Sequence, residues 1–526
     1  MKRQVLYFCF PLLLILFFPG MGLGQPAIAP ENLGSQVNSS YEELLPVITP
    51  DGSRLYFARK YHPDNYYHPE ESQEIWYSDY NEQTNSWAKA VHMGKDFNAQ
   101  TINGIGTISP DGNTILVRGA TENGEYEGVA FSLRQKGAEG WSKPQKMEIK
   151  QLKEMARGMF MGGTLAGNGK VLILYFGEEL MDEKNDLYVS FLTEDGSWTK
   201  PEGLGADLNT GYSEAAPFLA SDSKTLYFAS DRPGGQGNYD IYKTQRLDDS
   251  WKKWSEPVNL GSPINTKSFD AYYTVDAEGE YAYMVSEEES LGGSDIIRIR
   301  LKEEQRPDPV TLVSGKIMDR VTGEPLVAQV RYQILPGRIE AGIARSNAEE
   351  GVYKVTLPYG FIYQVTAEAE GYQMAAETID LTKGGEFQLL EKNLFLTPGE
   401  SKAPPAPLEM KTNRPDTKLA TVYFNSGEVQ VKEESKEELA LILEILRTNP
   451  HIHLTLRGHA DIVGSDNDNM DLSTYRARMV RAYLISEGIS PARLSYIGYG
   501  NTIPSTLDRT DEGLALNRRV EFHVIK

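Results

Sequence analysis

Along the first three hundred residues, short apolar runs alternate with polar turn clusters at a near-constant spacing. Leu55-Tyr56-Phe57, Ile115-Leu116-Val117, Val171-Leu172-Ile173, Leu226-Tyr227-Phe228 and Tyr281-Ala282-Tyr283 each follow a turn signal. The turns are Pro50-Asp51-Gly52, Pro110-Asp111-Gly112, Gly167-Asn168-Gly169, Ser221-Asp222-Ser223 and Glu278-Gly279. Apolar and aromatic runs of this length between such turns predict strands. The unit recurs about every 54 to 60 residues, the signature of a repeat architecture. Trp141-Ser142-Lys143-Pro144, Trp198-Thr199-Lys200-Pro201 and Trp254-Ser255-Glu256-Pro257 mark its later part, as does Trp87 in the first unit.

A second string closes the units: Leu33 to Ser39, Leu204 to Thr210 and Leu260 to Thr266, with Met93 to Asn98 a looser copy. The first copy precedes the first turn and none follows the fifth unit. A propeller closed by its own N-terminus would give that imbalance, with a strand near residues 27–34 completing the last blade. The expectation is a propeller over residues 25–305, with five blades and six as the alternative. Ser230-Asp231-Arg232-Pro233-Gly234-Gly235-Gln236-Gly237-Asn238-Tyr239-Asp240-Ile241-Tyr242 and the weaker Ser286 to Ile296 carry a resemblance to WD40-like propellers of the TolB type. The glycines suit positive φ and the following aspartates suit turn amides. Calcium binding or catalysis is the other reading of those aspartates. The resemblance implies protein contacts in the cell envelope.

From Pro309 the pattern changes to strands alternating at period two, at Val327 to Tyr332, Val352 to Leu357 and Ile362 to Ala367. They predict a small β-sandwich over 309–397, after a linker at Arg306-Pro307-Asp308-Pro309. This region resembles a carboxypeptidase regulatory-like domain. It contains no histidine, so the resemblance extends to the accessory domain and not to a zinc site.

A tether at 398–416 holds Pro398, Pro404, Pro405, Pro407 and Pro415. Beyond it, over 417–526, strand and helix periods alternate. Leu419 to Phe424 and Ile452 to Leu456 predict strands, as do Leu494 to Ile497 and Val520 to Ile525. Lys432 to Arg447 carries Leu439, Ile442, Leu443 and Leu446 at helical spacing. A second helix is expected from Ser473 as cap to Glu487, stopped by Gly488. The fold class is thus multidomain: an all-β propeller, a small β-sandwich and an α/β domain of βαβαββ-like order.

Within this last region Gly458-His459-Ala460-Asp461, Gly464, Asn469, Leu472-Ser473, Arg476-Ala477, Gly498-Tyr499-Gly500 and Asn517-Arg518-Arg519-Val520 resemble the OmpA-like peptidoglycan-binding domain. The resemblance implies that Asp461 meets the ammonium of diaminopimelate in a wall stem peptide and that Arg476 holds its carboxylate. It also implies that Asn469 helps shape the pocket and that Arg518 lies beside it. One carboxylate and one guanidinium suit the free amino-acid end of diaminopimelate. Three departures bear on affinity: Ala460 for the usual Thr, Asn425-Ser426-Gly427 at the end of the first strand, and the acidic run containing Asp466 and Asp468.

The chain opens with Lys2 and Arg3, an apolar stretch from Val5 to Phe18, and Gly20 to Gly24. This reads as a signal peptide over residues 1–24. The 526 residues carry a net charge of -21, which disfavours nucleic acid as a partner. The one cysteine, Cys9, lies in the leader and excludes a disulfide framework. No zinc motif, nucleophile elbow or phosphate loop occurs, so no cofactor is expected. The favoured function is a non-enzymatic periplasmic protein, associated with the outer membrane. It would bind peptidoglycan and hold an outer-membrane or secretion-system protein on its propeller, in a domain order that resembles that of Bacteroidota envelope proteins. A secretion or gliding component whose last domain does not bind wall is the alternative, and a propeller-based hydrolase the last.

Overall fold

The computed structural model describes residues 29–399 and 421–524, apart from the segments 67–70, 123–124, 138–139, 181–182, 194, 249, 289, 336–338, 433–434, 449–452, 491–492 and 507. The expected leader and most of the Pro-rich tether lie outside the described residues. The chain divides into two compact units, Met1–Pro405 and Ala406–Lys526.

The repeated pattern of the first unit forms five antiparallel sheets. Their innermost strands are Glu42–Ile48, Ile105–Ile108, Met161–Leu165, Glu214–Leu219 and Thr274–Val275. Glu31–Asn32 pairs antiparallel with Asp295–Arg300 in the fifth sheet, Glu31 opposite Arg298. Buried clusters join each sheet to the next. A cluster containing Val37, Phe57, Trp76, Tyr283 and Ile296 joins the fifth to the first.

The repeats have a hydrogen-bond logic. In the turns, Asp51 accepts from the Ser53 amide, Asp111 from that of Asn113, and Asp222 from those of Lys224 and Thr225. Gly52, Gly112, Gly169 and Gly279 take φ of 69–71°, which glycine adopts without a Cβ penalty. In the second string, Asn38, Asn98, Asn209 and Asn265 each accept from one backbone amide and donate to the same residue's carbonyl. Those residues are Ile296, Ile75, Leu187 and Ile241, so the asparagine stands in for a missing strand neighbour. The asparagine of the copy at residue 33 bonds Ile296 of the fifth sheet, while Val37 and Ser39 of the same copy bond Arg59 and Glu43 of the first, so the string bridges the two. Asp240 accepts from Gln236 and Gly237, and Asp295 from Leu291, so both aspartates lock their turns.

Residues 310–398 form two further sheets around Val313, Val330, Tyr353, Val355, Tyr363 and Val365. Beyond the three strands read from the alternating pattern, the sheets contain Val310–Asp319, Ile339–Arg345, Ala375–Asp380, Gln388–Glu391 and Leu394–Pro398. The expected linker is docked rather than free. Asp308 pairs with Lys224 at 2.7 Å and its amide donates to Asp222, while Tyr227 donates to the Gln305 carbonyl. Asp51 pairs with Lys354, and Asp111 accepts from the Arg345 amide at 2.8 Å.

The second unit is a mixed four-stranded sheet of order Thr421–Tyr423, Arg519–Val524, Leu454–Gly458, Leu494–Gly498. Helices Lys436–Thr448 and Asp466–Ser486 bury Leu439, Ile442, Leu446, Ala477, Val480 and Leu484 against it. A third helix, Asp511–Asn517, was not expected. The second begins at Ser465, not Ser473. Ser465 caps it by accepting from the Asp468 amide at 3.1 Å. Arg476 therefore does not start a helix, and Asn469 and Asp468 lie in its first turns rather than in a loop.

Candidate functional site

Two strand ends and one helix meet where Asp461, Arg476 and Arg518 come together. Asp461 follows Leu454–Gly458, Arg518 precedes Arg519–Val524, and Arg476 projects from Asp466–Ser486. Close helix–sheet contact makes this possible. A Cβ at Gly458 would collide with the Ser473 carbonyl, and one at Gly498 with the Thr474 hydroxyl. Ser473 is fully buried, donates to the Met470 carbonyl and accepts from the Gly500 amide at 2.8 Å. Its task is to hold the loop after the edge strand, not to cap a helix.

Asp461 is 5% exposed. Its Oδ2 accepts from Arg518 Nη1 at 2.8 Å and its Oδ1 from the Val463 amide at 3.0 Å. Arg518 Nε donates to the Phe424 carbonyl at 3.3 Å. Among the described residues, none accepts from its Nη2. Arg476 is 0% exposed. Its guanidinium donates to the carbonyls of Glu428, His459 and Asn425 at 2.9–3.1 Å. Burial lowers its pKa to about 10, while the Asp461 carboxylate favours the charged form. Arg476 thus ties residues 425–428 and 459 together directly behind Asp461. A guanidinium keeps two of its five N–H groups beyond three such bonds.

Asn469 is 2% exposed and its Nδ2 has no partner among the described residues. A buried amide left unpaired costs free energy and suits a ligand acceptor. His459 is buried, stacks on Tyr499 at 5.4 Å, and has no hydrogen-bond partner at either ring nitrogen among the described residues, with the Glu521 carboxylate 3.8 Å from Nε2. Burial, with Arg519 adding to it, holds its pKa down to about 4. The ring is neutral at physiological pH and serves packing. Arg519 bonds Glu521 at 2.7 Å and braces the sheet.

The site therefore joins a carboxylate and a guanidinium that bond each other, with one guanidinium nitrogen and one amide nitrogen uncommitted. Such a pair can meet an ammonium and a carboxylate on one carbon. Asp461, Asn469, Arg476 and Arg518 were all singled out from sequence. The bracing by residues 425–428 was not, because carbonyls carry no side-chain signal.

Residues 423–518 match the OmpA family, and the C-terminal domain is OmpA-like. Over 104 residues the chain is 38% identical to outer membrane porin F of Pseudomonas aeruginosa, covering 20% of this chain and 30% of the porin. It is 33% identical over 104 residues to the peptidoglycan-associated lipoprotein of Pseudomonas putida, covering 62% of that protein. It is 35% identical over 88 residues to the peptidoglycan-binding protein ArfA of Mycobacterium tuberculosis, covering 17% of this chain and 27% of that one. The chain thus spans under a third of the porin and of ArfA, and under two thirds of the lipoprotein. The solved peptidoglycan-associated lipoprotein of Burkholderia pseudomallei is 26% identical, covering 20% of this chain and 88% of that one, with a TM-score of 0.19.

Proposed function

We propose that this chain is a non-enzymatic envelope protein that binds peptidoglycan through residues 417–526. The Asp461–Arg518 pair, in the segment that matches the OmpA family, carries this reading. Relatives of the same segment are named peptidoglycan-associated and peptidoglycan-binding, which supports it. The ligand we assign is the diaminopimelate end of a stem peptide. Its ammonium meets Asp461, and its carboxylate meets Arg518 Nη2, with the Asn469 amide donating beside them. Arg476 stands behind as the second positive charge.

We read the five sheets as the blades of a propeller over 25–305, joined by the Glu31–Asn32 strand, and 309–397 as a carboxypeptidase regulatory-like sandwich docked on their turns. Together they form a platform for an outer-membrane or secretion-system protein. We read 1–24 as a leader that would deliver the protein to the periplasm, and 398–416 as the tether between platform and wall-binding domain.

Cosedimentation with purified, diaminopimelate-containing sacculi tests the wall reading. The chain pellets with the sacculi and Asp461→Asn stays in the supernatant. Equal pelleting of both, or of neither with the wild type folded, removes the reading.

A further inference from the structure

All five innermost strands contribute to the wall of one open cavity. Its wall is apolar and aromatic, with Phe131, Met161 and Phe218 beside Tyr175 and Tyr272, and it contains one charged side chain, Arg118.

The inner strands depart from regular pairing at this level. Leu45, Ala216 and Tyr272 take φ of 52°, 47° and 58°. The ladders shift between Leu44 and Val47, Ile105 and Thr107, and Ala215 and Phe218. Bulges re-aim side chains and gather beside binding sites, and positive φ at residues with a Cβ stores strain. Gly162 has a related role, since a Cβ there would collide with the Tyr175 ring.

Arg118 has no ion pair or side-chain hydrogen bond to a described residue. The charges that act on the phenol groups of Tyr175 and Tyr272 include Arg118 and Lys60, and no carboxylate. Lys60 is itself paired with Glu42 at 3.3 Å. Burial pushes both phenols up, so both hydroxyls remain protonated donors. A cation in an apolar cavity without its anion is costly, and a bound carboxylate relieves that cost.

The way in is set by topology. The turn ends of the sheets are occupied by the following domain, through Asp51 with Lys354, Asp111 with Arg345 and Asp222 with Asp308. Entry is from the opposite end, where Ile102, Phe160, Tyr212 and Phe269 are exposed ahead of successive inner strands.

We propose that this cavity binds a small carboxylic acid with an apolar body, its carboxylate on Arg118 and its body against Phe131, Met161 and Phe218. The unit would then respond to a soluble metabolite as well as carrying a protein partner. This inference is independent of the wall-binding reading.

Isothermal titration of the chain from Gln25 with 4-phenylbutyrate, and with its neutral amide, tests it. The wild type binds the carboxylate at least about tenfold more tightly than the amide. Arg118→Gln abolishes that preference while Arg118→Lys keeps part of it, and circular dichroism reports the fold of each. Equal affinity for acid and amide in the wild type overturns the proposal without recourse to any variant. So does an unchanged preference in Arg118→Gln, or no binding by folded wild type at about 5 mM ligand.

Discussion

At the scale of single residues, the two arginines of the wall site have different tasks. Arg476 is fully buried on three carbonyls, whereas Arg518 bonds Asp461 and one carbonyl and keeps a nitrogen free. Removing a buried donor leaves its acceptors unsatisfied, at roughly 1–3 kcal/mol each. Arg476→Ala is therefore expected to destabilise the C-terminal unit by about 3 kcal/mol or more, read by urea denaturation. Arg518→Gln costs under about 1.5 kcal/mol yet removes wall binding. The reverse ranking would return the ligand carboxylate to Arg476 alone. Asp461 and Arg518 were legible because their neighbours form a recognisable string. The burial of Arg476 was not, since it depends on residues 425–428, some fifty positions away in sequence.

At the scale of elements, the helix carrying Arg476 shows what a pattern conveys and what it hides. Its buried face, Ala477, Val480 and Leu484, has helical spacing, and Gly488 at φ 93° follows its C-cap. Its first turns, Asp466 to Asp471, are polar and rich in Asp and Asn, and read as loop. Acidic residues are nevertheless favoured at a helix N-terminus, and Ser465 supplies the cap. Residues without a side chain decide the packing beneath. Gly458→Ala would drive a methyl into the Ser473 carbonyl, with backbone on both sides unable to yield. We expect a loss of about 2–3 kcal/mol, measured by thermal unfolding, and a loss of wall binding as the Asp461 loop shifts. Gly464→Ala, whose nearest neighbour would be 3.8 Å away, separates crowding from backbone strain: its φ of 102° makes any loss a conformational one.

At the scale of the molecule, the repeat period was the most legible feature. Turn glycines, strand runs and the bridging asparagines recur in order, so five sheets follow from five units. How the third region sits was not legible, because its anchors are turn aspartates already occupied in locking their own turns. A further turn aspartate, Asp276, which accepts from the Gly279 amide at 2.9 Å, has a pH signature. Burial, with Glu278, Glu280 and Asp51 nearby, raises the Asp276 pKa from 3.8 to about 7. A raised carboxylate favours the folded chain below its unfolded pKa, and that advantage is lost as pH rises through 7. Asp276→Asn should therefore stabilise the first unit by about 1–3 kcal/mol at pH 8 and by nothing measurable at pH 4. A gain that is equal at both pH values would contradict the assignment. The central claim is that the Asp461–Arg518 pair reads a zwitterionic wall peptide. Calorimetry with a diaminopimelate-containing stem peptide and its lysine counterpart tests it most directly. The account predicts binding of the first, at least about tenfold weaker binding of the second, and loss of that difference in folded Asp461→Asn and Arg518→Gln. Equal affinity for the two peptides, or full retention of the preference in both variants, would contradict it.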